Sequence, residues 1–376
     1  MSIIIGADFV PTRSNKDLFI NGEVNQLFGD ELINELSKAD FRIFNLEVPL
    51  TDMENPIVKY GDNLLAPKST IRTYKAIGVD ILTLANNHIL DQGEQGLEST
   101  CRLLEETGIA YLGVGKTPDE AAKPYMLKCD GKNIGIYACV EHEFSIVSDM
   151  SCGANPYDPL ESFDHVVELK KMCDYVIVLY HGGKEHYRYP SPNLQKTCHK
   201  FVEKGADLII CQHTHCIGCE EKYKDGTIVY GQGNFLFDGD SSDYWQTSLL
   251  IKIDDEFNLS YIPLIKNENT VRLADKEKAD EILSEFNKRS EEIRQDSFVE
   301  KKYSEFAESM LINYLISLSG IGSNFLFRVL NKLSGHRYAK WFVKRRYSKK
   351  KLLAISNIIE CEAHRELLIE GLKFQK

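Results

Sequence analysis

Short apolar runs alternate with segments of helical spacing over roughly the first two-thirds of the chain. Ile3 to Ile5, Phe41 to Leu46, Val79 to Ala85, Ile109 to Leu112, Tyr175 to Tyr180 and Leu208 to Cys211 read as buried strands. Between them, Asp30 to Ala39, Ser69 to Ile77, Glu94 to Thr107, Leu160 to Cys173 and Asn193 to Lys204 read as helices. Ser69 is placed to cap its helix, and Gly78 and Gly108 to end theirs. Tyr125 to Val140 predicts a hairpin around Asp130-Gly131. Thr227 to Tyr230 predicts another strand, and Gln246 to Ile253 with Leu259 to Ile265 a last antiparallel pair. The repeated strand–loop–helix order predicts an α/β fold with much parallel pairing. After Asn267 the strand signal stops, and Ala279 to Arg294, Phe306 to Leu318, Asn324 to Leu333 and Lys351 to Leu372 are helical. This predicts a first domain over 1–266 and an α-helical C-terminal region over 267–376.

The apolar runs stop at residues with metal-binding chemistry. Asp8 follows Ile3 to Gly6, Glu47 follows Phe41 to Leu46, and Asn86-Asn87-His88 follows Ala85. His181 follows Tyr180, and His213-Thr214-His215 lies just after the run Leu208 to Cys211. Open α/β sheets place ligands at such strand ends. On an extended segment the two imidazoles of His-x-His share a face. Mixed imidazole and carboxylate donors suit Zn, Mn or Fe better than Ca. Six candidates (Asp8, Glu47, Asn87, His181, His213 and His215) exceed the four ligands of a closed zinc site. They suggest two divalent ions, about 3.5–4 Å apart, which clamp a phosphoryl group in line. His88, beside Asn87, is then placed to protonate a leaving alkoxide. Asp91 is placed to hold its other ring nitrogen. Asn86, Lys59 and Glu185 are the candidates to touch substrate. An isolated His-x-His is as often two polar loop residues, so the weight lies on the set rather than on any member.

Other motifs change the picture less. Gly115-Lys116-Thr117 fails as a phosphate-binding loop, because Ala110 stands where the first glycine should be. Cys216-Ile-Gly-Cys219 has no second pair at metal spacing and reads as buried loop thiols. Glu141-His142-Glu143 opens a long polar loop and reads as solvated, although a loop of that length can cover a site. Tyr187 to Pro192 could wall a pocket or cap the surface. Small residues after His181 would let backbone approach a ligand. Segment 337–351 holds eight basic residues interleaved with Tyr338, Trp341, Phe342 and Tyr347. It could lie on an anionic membrane or a polyanion. The commoner reading of such a stretch is an amphipathic helix with its aromatics packed inward and its charges in water.

The totals narrow the class. A net charge of −11 argues against generic nucleic-acid binding. Hydrophobic and charged fractions of 43% and 27% are ordinary for a globular protein. The first residues have no basic region before a long apolar stretch, so a signal peptide is not expected. With ten cysteines, this predicts reduced thiols in a cytoplasmic protein, with peripheral membrane contact through 337–351 as one option.

The motifs together resemble the CapA family of poly-gamma-glutamate capsule biosynthesis proteins, of the calcineurin-like metallophosphoesterase superfamily. The matching pieces are Asn45-Leu46-Glu47 with Pro49, Leu84-Ala85-Asn86-Asn87-His88 with Asp91 and Gly93, and His181-Gly182-Gly183 with Glu185. Gly205-Ala206-Asp207, His213-Thr214-His215 and Tyr230 through Gly233-Asn234-Phe235 complete the order over about 1–265. The resemblance implies a four-layer sandwich, two mixed sheets flanked by helices with the metal site at the strand ends, and it leaves the helical C-terminal appendage outside. It also implies that Asp8 and His215 favour one metal, that Asn87, His181 and His213 favour the other, and that Glu47 replaces the usual bridging aspartate. Val10 stands where superfamily members carry a histidine, and Ala7 separates Gly6 from Asp8, so the first metal lacks part of its usual support. The function implied is metal-dependent hydrolysis, of a phosphoester in capsule or envelope polymer metabolism. The alternatives are hydrolysis of a gamma-glutamyl amide and a non-catalytic accessory role in polymer synthesis. The expected substrate is phosphorylated or polyanionic. With reference imidazoles, activity should fail below about pH 5.5.

Overall fold

The computed structural model describes residues 2–374. The chain forms two compact units, Met1–Glu300 and Lys301–Lys376. The first unit holds two large sheets. One runs Thr270–Leu273, Leu259–Asn267, Thr247–Ile253, Ile3–Val10, Phe41–Asn45, Ile81–Thr83 and Ala110–Leu112, with Leu236–Phe237 beside the end of Ile3–Val10. Its pairing is antiparallel up to Ile3–Val10 and parallel from there on. The other runs Glu220–Tyr223, Gly226–Val229, Leu208–Gln212, Tyr175–His181, Lys132–Val140 and Tyr125–Cys129. It is antiparallel at both edges and parallel within.

Side-chain alternation along the strands builds the layers. Ile3 and Ile5 face a core shared with Ile177, Leu179 and Ile210 of the other sheet. Ile4 faces a second core with Leu32, Tyr74 and Leu104 from the helices Val24–Ser37, Ile71–Ala76 and Gly93–Thr107. Val176, Val178 and Ile209 face a third with Val166 and Phe201 from Ser162–Lys170 and Pro192–Glu203. Three cores separate four layers: helices, sheet, sheet, helices. Strands buried on both faces have apolar residues at every position, which is why they read as unbroken runs.

Several boundaries differ from the sequence expectation. Ser69 lies inside a short 3-10 turn, Lys68–Thr70, and caps nothing with its side chain. The helix expected over Lys351 to Leu372 is two, Lys349–Glu360 and Glu362–Lys373, parted where Cys361 turns to ψ 115°. The largest difference is the unit boundary, which falls after Glu300 and not at 266. The strand Thr270–Leu273 and the helix Lys276–Glu292 belong to the first unit. Arg289 Nε donates to Gly218 O at 2.8 Å, Glu220 N–H donates to Ser290 Oγ at 2.8 Å, and Phe286 packs on Tyr261. The change in composition near Asn267 marks a change of secondary structure and not of packing unit. No helix among the described residues is long and apolar enough to cross a membrane.

A candidate metal centre

The candidate ligands come from strands of both sheets and from the turns that follow them. Asp8 lies inside Ile3–Val10, where the register slips after Ile5 and sets Asp8 opposite Asn45. Glu47 stands two residues past Phe41–Asn45, and Asn87 and His88 lie in the turn after Ile81–Thr83. His181 closes its own strand beside Gln212, and His213 follows at once. His213 and His215 do not continue the strand in extended form, because φ is +79° at His213 and +53° at His215. Non-glycine residues rarely take this left-handed form, and such strain gathers at functional sites. Two left-handed residues, not an extended His-x-His, aim both rings at one point. His215 is held by Asn234 Oδ1 at 2.9 Å and by the Trp245 ring, 4.8 Å between centroids.

All six candidates meet. His181 Nε2 lies 3.0 Å from Asn87 Oδ1, 3.2 Å from His213 Nδ1 and 3.2 Å from Glu47 Oε1. His215 Nδ1 lies 3.3 Å from Asp8 Oδ2, whose other oxygen accepts from Asn45 Nδ2 at 2.7 Å. One ligand atom each of Glu47, His213 and His215 lies within 4.8 Å of the others. Donors about 2.1 Å from one ion are about 3 to 3.4 Å apart, so the set is near closure. Glu47 is the sharpest observation. It is fully buried, yet neither oxygen has a hydrogen bond. Its Oε1 lies 3.2 Å from His181 Nε2 without the alignment of a hydrogen bond. A buried, unpaired carboxylate is costly and calls for a partner. The residues present fit a divalent cation.

Burial and charge act differently on each group. Burial, then the charges of His215 and His88, lowers His181 to about 4, so its ring is a neutral donor at pH 7. Burial, then the charges of His181 and His215, lowers His213 as well. Burial would also lower His215, but its bond to Asp8 and the charge of Glu47 outweigh that and raise it to about 9. Glu47 is raised to about 8 by burial and by the charge of Asp8. Asp8, although burial opposes it, is lowered by His215 and His181.

Beside these ligands lies a second group. His88 Nδ1 is 2.5 Å from Asp91 Oδ2, and Lys59 Nζ is 2.5 Å from Asp91 Oδ1 and 3.3 Å from His88 Nδ1. The Asp91 carboxylate also accepts from Leu64 N–H at 2.6 Å. Two substrate candidates need correction. The Lys59 side chain is 2% exposed and engaged by Asp91, because a buried carboxylate needs a counter-charge. Asn86 is fully buried; its Nδ2 donates to Asn45 Oδ1 and Leu46 O, and its Oδ1 accepts from His88 N–H. It braces the ligand loops and has no free amide. Glu185 stays at the surface, with its side chain 46% exposed and Lys184 at 3.1 Å.

Sequence reasoning missed several contacts. Asn87 Nδ2 donates to Glu143 Oε2 at 2.7 Å, which leaves Oδ1 facing His181. Ser145 Oγ donates to Asn87 O, and Glu141 Oε1 accepts from Gly183 N–H at 3.0 Å. The Glu141-His142-Glu143 loop is therefore not simply solvated, and its length was the available signal. Gly182 serves that loop rather than a ligand, since a Cβ there would stand 2.5 Å from Glu141 Cγ. Thr117 of Gly-Lys-Thr caps the short helix Pro118–Ala121. Cys216 and Cys219 are buried free thiols, and among the described residues neither joins a metal-binding group. Tyr189 bonds Glu292 and packs on Phe298, so the aromatic segment 187–192 secures a helix. A cavity of about 730 Å³ beside Glu98, Cys101 and Tyr111 includes none of the ligand candidates.

Comparison with known proteins gives the family. Residues 3–239 match the family described as bacterial capsule synthesis protein PGA_cap, more than half of the chain, and the chain belongs to that family. The capsule biosynthesis protein CapA of Bacillus anthracis is 28% identical over 212 residues, 54% of this chain and 52% of that protein. The PGA biosynthesis protein CapA of Bacillus subtilis strain 168 is 28% identical over 206 residues, 53% of this chain and 54% of that protein. The chain spans about half the length of the curated relatives it matches. A solved phosphatase of Mycoplasma pneumoniae aligns over 71% of this chain and 94% of its own, at 13% identity and a TM-score of 0.44.

Proposed function

We propose that this protein is a metal-dependent hydrolase that cleaves a phosphoester in capsule or envelope polymer synthesis. The Glu47 carboxylate carries this reading, buried and unbonded among His181, His213 and His215. The polymer context rests on the family and on the names of its relatives. Asp8, Glu47, Asn87, His181, His213 and His215 would hold one or two divalent ions, of Mn, Zn or Fe. Such ions supply Lewis acidity at the phosphoryl group and at the attacking water.

The chain's own residues do the rest. Asp91 holds His88 at Nδ1, which leaves Nε2 free to give a proton to the leaving oxygen. Lys59 and the Leu64 N–H fix Asp91 in turn. Glu143 orients the Asn87 amide, and Asn234 orients the His215 ring.

Elemental analysis of the purified protein, followed by a phosphoester panel with Mn, Zn and Fe added, tests the proposal. Bound metal with phosphoester turnover is the expected result. Release of glutamate from a gamma-glutamyl polymer with phosphoesters untouched would replace it with amide hydrolysis. Normal polymer output from a His213→Ala, His215→Ala double variant would leave an accessory role.

A further inference from the structure

Charge is distributed very unevenly along this chain. Between Glu308 and Glu360 there are ten Lys and Arg residues and no Asp or Glu, in a protein of net charge −11. This stretch lies in the unit Lys301–Lys376 and carries large apolar side chains in the open. The helix Phe325–Leu333 turns Phe327 inward against the rings of Tyr338 and Phe342, 5.5 Å from each. It leaves Phe325, Leu326, Leu330 and Leu333 exposed at 79%, 63%, 37% and 80%. Leu326, Leu330 and Leu333 are four and three residues apart and form one stripe. On the next helix, Arg337–Arg346, Trp341 is 53% exposed with the Arg345 guanidinium 5.8 Å from its ring centre. Arg328, Lys332, Lys340, Lys344, Arg345 and Arg346 are all exposed on the same two helices.

We propose that the helices Phe325–Leu333 and Arg337–Arg346 dock this protein on the surface of an anionic lipid bilayer. Apolar side chains beside cations are what the interface of such a membrane takes up: acyl chains bury the one and headgroups neutralise the other. Two other occupants fit less well. A free polyanion would match the cations and leave the leucine stripe and Trp341 in water. A second copy would bury the stripe but bring its own cations against these, since a two-fold interface sets like surface on like. The inward packing of Phe327, Tyr338 and Phe342 settles half of the sequence alternative, because only part of the aromatic set is used internally. This surface is independent of the metal centre and of the reaction proposed there.

Sedimentation of the full chain with vesicles of phosphatidylcholine, alone or mixed with phosphatidylglycerol, tests the proposal. The protein should bind the anionic vesicles and not the neutral ones, release at high salt, and show a blue shift of tryptophan emission on binding. A Lys344→Gln, Arg345→Gln, Arg346→Gln variant should partition on the order of 100-fold more weakly. A Leu326→Ser, Leu330→Ser, Leu333→Ser variant should also lose binding, with circular dichroism reporting whether its helices persist. If that variant unfolds, the charge variant alone decides, because its side chains are exposed and only Arg345, over Trp341, meets a ring. No binding to anionic vesicles, or equal binding by the charge variant, overturns the proposal. So does a dimer that the leucine variant abolishes while neither protein binds lipid.

Discussion

Glu47 Oε1 stands 3.2 Å from His181 Nε2, yet neither oxygen of that carboxylate makes a hydrogen bond. The one residue thus touches an imidazole and still has an unmet bonding requirement. Around it are two imidazoles that burial keeps neutral, His181 and His213, and one that Asp8 keeps protonated, His215. A cation would satisfy the carboxylate and draw on all three rings.

Removing that carboxylate should cost the metal rather than the fold. Glu47→Gln keeps the volume and removes the charge. We expect its affinity for Mn or Zn to fall at least about 100-fold, by analogy with the lesser losses from outer-shell changes. Equilibrium dialysis with elemental analysis reads this directly. Unchanged metal content would show that Glu47 is not a ligand. Cys216→Ala and Cys219→Ala should leave metal content as it is.

Metal uptake should depend steeply on pH. His181 and His213 are already deprotonated at pH 7, so they contribute little to this dependence. His215, raised to about 9, and Glu47, raised to about 8, hold protons that a metal must displace. As pH rises through 8 and 9 those protons leave, competition ends and affinity should increase. Below pH 7 affinity should fall by up to about 100-fold per unit, for two protons displaced. Calorimetry in buffers of different ionisation enthalpy would count them. Activity should therefore fade well above the pH 5.5 expected from reference imidazoles. A flat affinity between pH 6 and 9 would contradict this account.

His88→Ala should separate chemistry from binding. The ring contacts Asp91 and Lys59 and is not among the ligands that meet at Glu47. Turnover should drop about 100- to 10,000-fold at unchanged metal content. A loss of metal along with activity would instead make His88 part of the ligand set.

Lys59→Met should weaken the fold. It leaves Asp91, fully buried, without its cation, and breaking a buried pair costs about 3–5 kcal/mol. Urea unfolding with constant slope would measure this. Removing both charges, as Lys59→Met with Asp91→Leu, should recover part of the loss, because no charge is then stranded. If the single variant is as stable as the parent, the ion pair is not buried as described.

The alternation of apolar runs and helical stretches was enough to give an α/β fold, since strands buried on both faces leave an unbroken apolar signature. The residues at the strand ends could be named individually because metal chemistry needs particular side chains. Asp8, Glu47, Asn87, His181, His213 and His215 were all visible as donors after apolar runs.

What the linear order could not contain was decided by packing between segments far apart. Only the folded chain brings Glu143 onto Asn87, draws Lys59 inward to Asp91 and leaves Glu47 unbonded. It also sets His213 and His215 in left-handed backbone and keeps the helix Lys276–Glu292 with the sheets. Local pattern reports how each residue meets its neighbours in the chain. Whether a charge ends buried and paired, or a carboxylate buried and alone, depends on residues dozens of positions away.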